Sequence, residues 1–338
     1  MRGRKRGDRF THEENSQQCG SFLSFYWRRR LQGDVLMETL SHEILQNWQV
    51  RKTKKQKLAF LEMMQSRIPG LRVEEGGFPH CRNLVLGDVE TAKVVFTAHY
   101  DTCARLPFPN FITPKNILIF LGYSLLISLP FLALMFGLTT LLAPRLGVAG
   151  GFLGMLIGFG TMFYVFFLGA ANPHTVNDNT SGVLTLVETI ARMSEEERAQ
   201  CAFIFFDHEE NGLLGSGWFA SKHRKAMKDK LLVNFDCVSD GDDFLFVLSR
   251  KARKGYLEAL RTAFAEYPRK ELHFESTLSA FYPSDQANFP VSVGVAALRK
   301  KPLLGLYMSR IHTPRDTVLQ EENLVYLAEG AKQLVSSL

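Results

Sequence analysis

The sequence predicts an α/β fold: a mixed, mostly parallel central sheet flanked by helices, with a two-helix transmembrane insertion. Three observations lead there. Short apolar runs of strand character alternate with segments of helical periodicity, the pattern of a layered α/β domain. Three of those runs end directly in acidic or imidazole side chains. One region, residues 115–172, carries almost no charge, whereas the chain as a whole is 22% charged and 46% hydrophobic.

Residues 1–36 read as a basic tail without periodicity, holding Arg2, Arg4, Lys5, Arg6, Arg9, Arg28, Arg29 and Arg30. A second basic run follows at Arg51, Lys52, Lys54, Lys55 and Lys57. With no nucleic-acid-binding motif beside them, both runs are read as solvated helix faces or contacts to anionic lipid, not as a nucleic-acid surface. Residues 37–66 show helical spacing that stops at Pro69-Gly70. Strands are expected at 83–86 and 93–98. Residues 116–143 and 146–172 then form two uncharged runs of 28 and 27 residues, separated by Pro144 and Arg145. A bilayer-spanning helix needs about 20 residues, so each run is long enough. Gly150, Gly154 and Gly158 recur every fourth residue and would let two helices approach closely, and Pro130 would kink the first. Beyond the insertion, helices are expected at 181–193, 217–228, 254–267 and 322–336, and strands at 201–206, 231–235, 244–248 and 293–298. The α/β domain thus comprises residues 37–114 and 173–338, with 115–172 inserted in it.

The chemistry collects where strands end, the edge at which open α/β sheets place their ligands. The 93–98 run leads into His99-Tyr100-Asp101, the 201–206 run into Asp207-His208-Glu209-Glu210, and the 231–235 run into Asp236. A His-x-Asp pair suits a metal-binding imidazole whose other N–H is fixed by the carboxylate. Two adjacent glutamates repel, and burying both requires a cation near one, which leaves the other free as a general base. A His-Glu-x-x-His zinc motif is absent, because Gly212 stands where the second histidine belongs.

His99-x-Asp101, Asp178-Asn179-x-Ser181-Gly182, Glu209-Glu210-x-Gly212-Leu213-x-Gly215-Ser216, Asp236 and His312-Thr313-Pro314 with Asp316-Thr317 follow one another along the chain. In this order they resemble the co-catalytic zinc aminopeptidases, the family of bacterial leucyl aminopeptidases and of the glutamate carboxypeptidase catalytic domain. The resemblance runs from about residue 40 to the C-terminus, the apolar insertion excepted. It implies that Asp178 bridges two zinc ions, that His99 and Asp236 complete one position, and that Glu210 and His312 complete the other. It further implies that Asp101 orients His99 and that Glu209 activates the attacking water. Cobalt or manganese would suit the same nitrogen and oxygen donors. The chain departs from the family at Ser284-Asp285-Gln286, where relatives often carry Ser-Asp-His near the substrate pocket. Cys103 and Cys237 are expected to be spectators. His12, His42, His80, His174, His208, His223 and His273 are expected to be structural or exposed.

The expected activity is a membrane-anchored exopeptidase, an aminopeptidase acting on peptides. Carboxypeptidase, amide deacylase and glutaminyl cyclase reactions on the same scaffold are the alternatives, with a non-catalytic membrane protein as the third class. The odd count of five cysteines without a C-x-x-C suggests a reducing compartment. The apolar stretch at 22–27 runs into three arginines, the wrong flank for an export signal. Arg105 and Lys115 lie at the base of the insertion and Arg145 at its tip, which places the catalytic domain in the cytoplasm.

Overall fold

A computed structural model of the chain describes residues 32–265 and 270–338. The expected basic tail lies outside these residues, except that helix α1 (Gln32–Asn47) already begins inside its last stretch. The single helix expected over 37–66 is instead two, α1 and α2 (Lys54–Arg67). The break has a local cause. Thr53 accepts the Gln56 N–H through its Oγ1 at 3.3 Å, and the Gln56 side chain accepts the Thr53 N–H at 2.9 Å. Such a capping box starts a helix wherever it occurs.

Among the described residues nine strands form one sheet: β1 (Arg72–Gly76), β2 (Cys81–Gly87), β3 (Val94–His99), β4 (Cys201–Phe206), β5 (Leu231–Phe235), β6 (Asp243–Leu248), β7 (Glu271–Ser276), β8 (Ser292–Lys301) and β9 (Gly305–Tyr307). Their order is β1-β2-β4-β3-β5-β8-β6-β7, with β9 pairing β8. The central path β4-β3-β5-β8 is parallel throughout. The flanks are largely antiparallel, with β6·β7 the parallel exception, so the sheet is mixed rather than mostly parallel.

The central strands are buried along their whole length, and their side chains divide between two apolar layers with a period of two. Phe96, Phe203, Phe205, Val233 and Phe235 face a layer closed by α1, α2, α4 (Ser181–Arg192), α7 (Arg250–Ala263) and α8 (Glu321–Ser337). Val95, Ile204, Phe206 and Leu232 face the opposite layer, where Phe219 of α6 (Leu214–Lys222) packs. A short turn of helix, α5 (Glu195–Ala199), leads into β4. Phe96 stacks between Phe203 at 5.7 Å and Phe235 at 6.3 Å, fastening the three strands whose ends carry the expected chemistry.

The apolar region forms one helical element, α3 (Ile117–Phe163), continuing to Leu168 as a single stretch long and apolar enough to cross a membrane. Its helical backbone is broken not at Pro144-Arg145 but at Gly147, whose φ of 63° is open to glycine. A Cβ on Gly154 would stand 2.5 Å from the Thr139 amide, and one on Gly158 2.5 Å from the Met135 Cβ. Residues fifteen or more apart lie over 20 Å from each other along a straight helix. The portions before and after Gly147 therefore pack side by side through the glycine row. Both ends return to one place: the Arg105 N–H donates to Ala170 O at 2.8 Å, the Asn172 N–H to Cys103 O at 3.2 Å, and Ala104 pairs with Ala171.

Replacing Phe96 by alanine removes the ring shared by three strands. It should lower unfolding stability by about 3–5 kcal/mol, read as a reduced urea midpoint with an unchanged slope.

Candidate metal centre

Parallel pairing sets β4, β3 and β5 side by side with their C-termini on one edge. His99 lies opposite Phe206, and Thr97 opposite Asn234, which brings Asp207, His99 and Asp236 to one level. His99 is buried, and its Nδ1 lies 3.1 Å from the backbone carbonyl of Asp101. A carbonyl only accepts, so Nδ1 carries a proton and Nε2 is the ring atom turned to the rest of the site. Nε2 faces carboxylate oxygens: Asp178 Oδ1 at 3.4 Å, Asp236 Oδ1 at 3.6 Å and Glu209 Oε2 at 3.9 Å.

Asp178 lies in the turn before α4, and the peptide bond to Asn179 is cis. Its two oxygens diverge, Oδ1 toward His99 and Oδ2 toward His312 Nε2 at 2.9 Å. His312 also lies 3.4 Å from Glu210 Oε2. The flanking asparagines anchor this turn to the loop after β5. Asn177 Oδ1 accepts the N–H groups of Ser239 and Asp240, and Asn179 Oδ1 accepts those of Gly182 and Cys237. Asp316 completes the clamp by accepting the Asn177 and Asp178 N–H groups at 2.8 and 3.1 Å.

All seven expected site residues thus converge, but the role read for Asp101 changes. Its carboxylate is 3.7 Å from His99 Nδ1, beyond hydrogen-bond reach, and it accepts instead the N–H groups of Glu209 at 3.0 Å and Glu210 at 3.3 Å. The backbone of Asp101 orients the imidazole, and its side chain holds the Glu-Glu turn. Burial, together with the charges of neighbouring carboxylates, pushes Glu209 and Glu210 well above the ordinary glutamate range. Burial acts the same way on Asp178, but His312 and His99 outweigh it and hold that carboxyl low.

Several residues escape a sequence reading. Arg51 and Lys57, placed above in a solvated basic run, are both buried. Arg51 Nε donates to Tyr100 O at 2.5 Å, its Nη1 donates to Trp48 O, and both terminal nitrogens donate to Thr180 Oγ1 at 3.1 and 3.2 Å. Lys57 pairs with Asp207 at 2.6 Å. Lys57 shares a helical face with Phe60, Leu61 and Met64, the one signal that marked it as inward-facing. Asp285 is buried with neither carboxylate oxygen hydrogen-bonded, and burial pushes it up to about 7. Gln286 is engaged in the fold, accepting from Asn234 and donating to Tyr282 O. His174 is exposed, as expected. The two thiols expected to be spectators stand inside the cluster: Cys103 with Glu210 and His312, and Cys237 with Asp178 and Asp236, each group within 4.8 Å.

The residues present fit a metal. His99 Nε2, Asp236 Oδ1 and Glu210 Oε1 are buried atoms without a hydrogen-bond partner, all three on expected ligands. An unpaired buried polar atom costs about 1–3 kcal/mol, a cost that metal binding at these residues would offset.

The model of peptidase family M28 matches residues 164–329, a span that includes Asp178, Glu209, Glu210, Asp236 and His312. No curated protein matches the chain by sequence. The fold is similar to that of the LapA aminopeptidase of Legionella pneumophila, at 14% identity and a TM-score of 0.53 over 98% of this chain and 76% of that one. It is similar also to the glutaminyl cyclase of Porphyromonas gingivalis, at 13% identity and a TM-score of 0.54 over 90% and 98%. A Zn-dependent exopeptidase from Parabacteroides distasonis shares it at 12% identity and a TM-score of 0.51 over 90% and 97%. With the family match, the ligand order and this fold together, the chain carries a peptidase family M28 domain and is a metallopeptidase.

Proposed function

We propose that the chain is a membrane-anchored aminopeptidase working with two zinc ions. The observation that carries the reading is the divergence of Asp178, one oxygen toward each of two histidines 213 positions apart in the sequence. His99 and Asp236 would hold one ion, Glu210 and His312 the other, and Asp178 both. Charge supports metal binding: Asp178, Glu209, Glu210 and Asp236 crowd four carboxyl groups into one buried space, where cations would stabilise their ionised forms. Bound zinc supplies Lewis acidity, which lowers the pKa of a water and polarises the scissile carbonyl.

The remaining work falls to side chains of this chain. Glu209 is the carboxylate left over once the ligands are assigned. It takes the proton of the attacking water and returns it to the departing amine. Asp101 keeps Glu209 aimed through the backbone N–H it accepts, and Arg51 fixes the loop after β3 against the Asp178 turn.

The apolar element supports the anchoring. Its two portions form a hairpin whose ends pair beside Cys103, and the Leu106 N–H donates to His312 O at 2.8 Å. On this reading the site opens close to the membrane surface, with the peptidase domain in the cytoplasm. A second reading, a cyclase-like reaction, draws on the similarity to the P. gingivalis glutaminyl cyclase. It would be expected to use one zinc.

Elemental analysis of the detergent-purified protein should find two zinc equivalents, both lost in Asp178→Ala. One equivalent would favour the cyclase reading. Glu209→Gln should keep the metal and lose about 10²–10⁴-fold in kcat on aminoacyl substrates; a smaller loss would remove Glu209 from the proton transfer. For topology, Arg145→Cys should react with an impermeant maleimide added outside intact cells, and Pro109→Cys only after permeabilisation. The reverse pattern would invert the orientation.

A further inference from the structure

We infer that Cys103 is a sulfur ligand at the metal position formed by Glu210 and His312. The inference rests on the two-metal reading above and adds to it a donor that the sequence resemblance does not contain. The Cys103 Sγ, a Glu210 carboxylate oxygen and a His312 ring nitrogen lie within 4.8 Å of one another. Ligand atoms around a tetrahedral zinc are separated by roughly 3.5 Å, given bonds of about 2.0–2.3 Å, so small side-chain rotations close the difference.

Two further observations bear on this thiol. Glu210 Oε1, in the same cluster, is buried without a hydrogen-bond partner. Cys103 is buried and free, yet it belongs to none of the apolar clusters of the core. Cys237, by contrast, packs with Leu245, Tyr282, Ala296 and Met308, an apolar setting that accounts for its burial.

The segment carrying Cys103 is also held in register with its partners. Thr102 Oγ1 accepts the Arg51 N–H at 3.0 Å, Cys103 O accepts the Asn172 N–H, and Leu106 bonds directly to His312. Cys103 and His312 therefore keep their relative positions through backbone contacts, independently of any ion. On binding, the thiol gives its proton to solvent and the sulfur takes a coordination position beside Glu210, His312 and Asp178. A sulfur donor shifts this position toward thiophilic metals and away from manganese.

Zinc K-edge X-ray absorption on the full-length, detergent-purified and zinc-loaded protein tests the assignment. The wild type should show a sulfur shell at about 2.3 Å beside the nitrogen and oxygen shell at about 2.0–2.1 Å. That sulfur shell should be lost in Cys103→Ser and retained in Cys237→Ser. Two bound zinc ions with nitrogen and oxygen neighbours alone would overturn the inference while leaving the two-metal reading intact. A sulfur shell that survives in Cys103→Ser, or disappears in Cys237→Ser instead, would overturn it too. Failure of the wild type to bind zinc would overturn both.

Discussion

The structure is organised around an electrostatic problem. Three carboxylates converge on Nε2 of His99 and a fourth, Glu210, meets His312 beside them, inside a protein, where unlike water the surroundings do little to screen them. Such a cluster persists only if each carboxylate is held in place by something other than its neighbours' preference, which is to move apart. The hydrogen bonds around it do this holding. Asp101 grips the Glu209-Glu210 turn by its amides, Asp316 grips the Asp178 turn in the same way, and Asn177 and Asn179 tie that turn to the loop of Asp236. Each tether ends on backbone N–H groups, so the functional carboxylates keep their own lone pairs free. The cluster is thus held in place by groups that leave its inward-facing oxygens unengaged.

The cationic side chains follow the same logic at one remove. Arg51 lies behind the cluster and spends its donors on two carbonyls and a threonine hydroxyl, joining the α1 end, the loop after β3 and the Asp178 turn. Lys57 neutralises Asp207, the acid at the end of β4 that takes no part in the cluster. Replacing a buried partner of this kind leaves an uncompensated charge, and that costs several kcal/mol. These residues therefore confer stability and shape rather than chemistry.

The central strands were legible in the sequence because burial on both faces writes a continuous apolar run, and the three acids and imidazoles stood at the ends of such runs. The edges were not. β1 reads Arg-Val-Glu-Glu-Gly and β7 Glu-Leu-His-Phe-Glu-Ser, half-exposed strands whose polar faces blur any alternation. The α1–α2 break carried its own signal, Thr53 with Gln56, but apolar spacing on both sides obscured it. The residues that converge at the strand ends were legible by order and type. The part played by Asp101 was not, since an alternative acceptor on its own backbone lies nearer the imidazole than its carboxylate does. Burial of Arg51 is set by partners 49 and 129 positions away, which no local pattern contains.

The paired backbone at the root of the apolar element has a consequence for the architecture as a whole. Cys103, Ala104 and Arg105 meet Asn172, Ala171 and Ala170 across a clasp only three residues deep on each side. From the sheet's side, the long excursion is thus equivalent to a tight turn, since the chain leaves and re-enters through neighbouring points. All nine strands of the sheet and all the carboxylates of the cluster come from residues outside the apolar helix. A change of length within Ile117–Leu168 would therefore leave the two points at which the chain departs from and rejoins the sheet where they are.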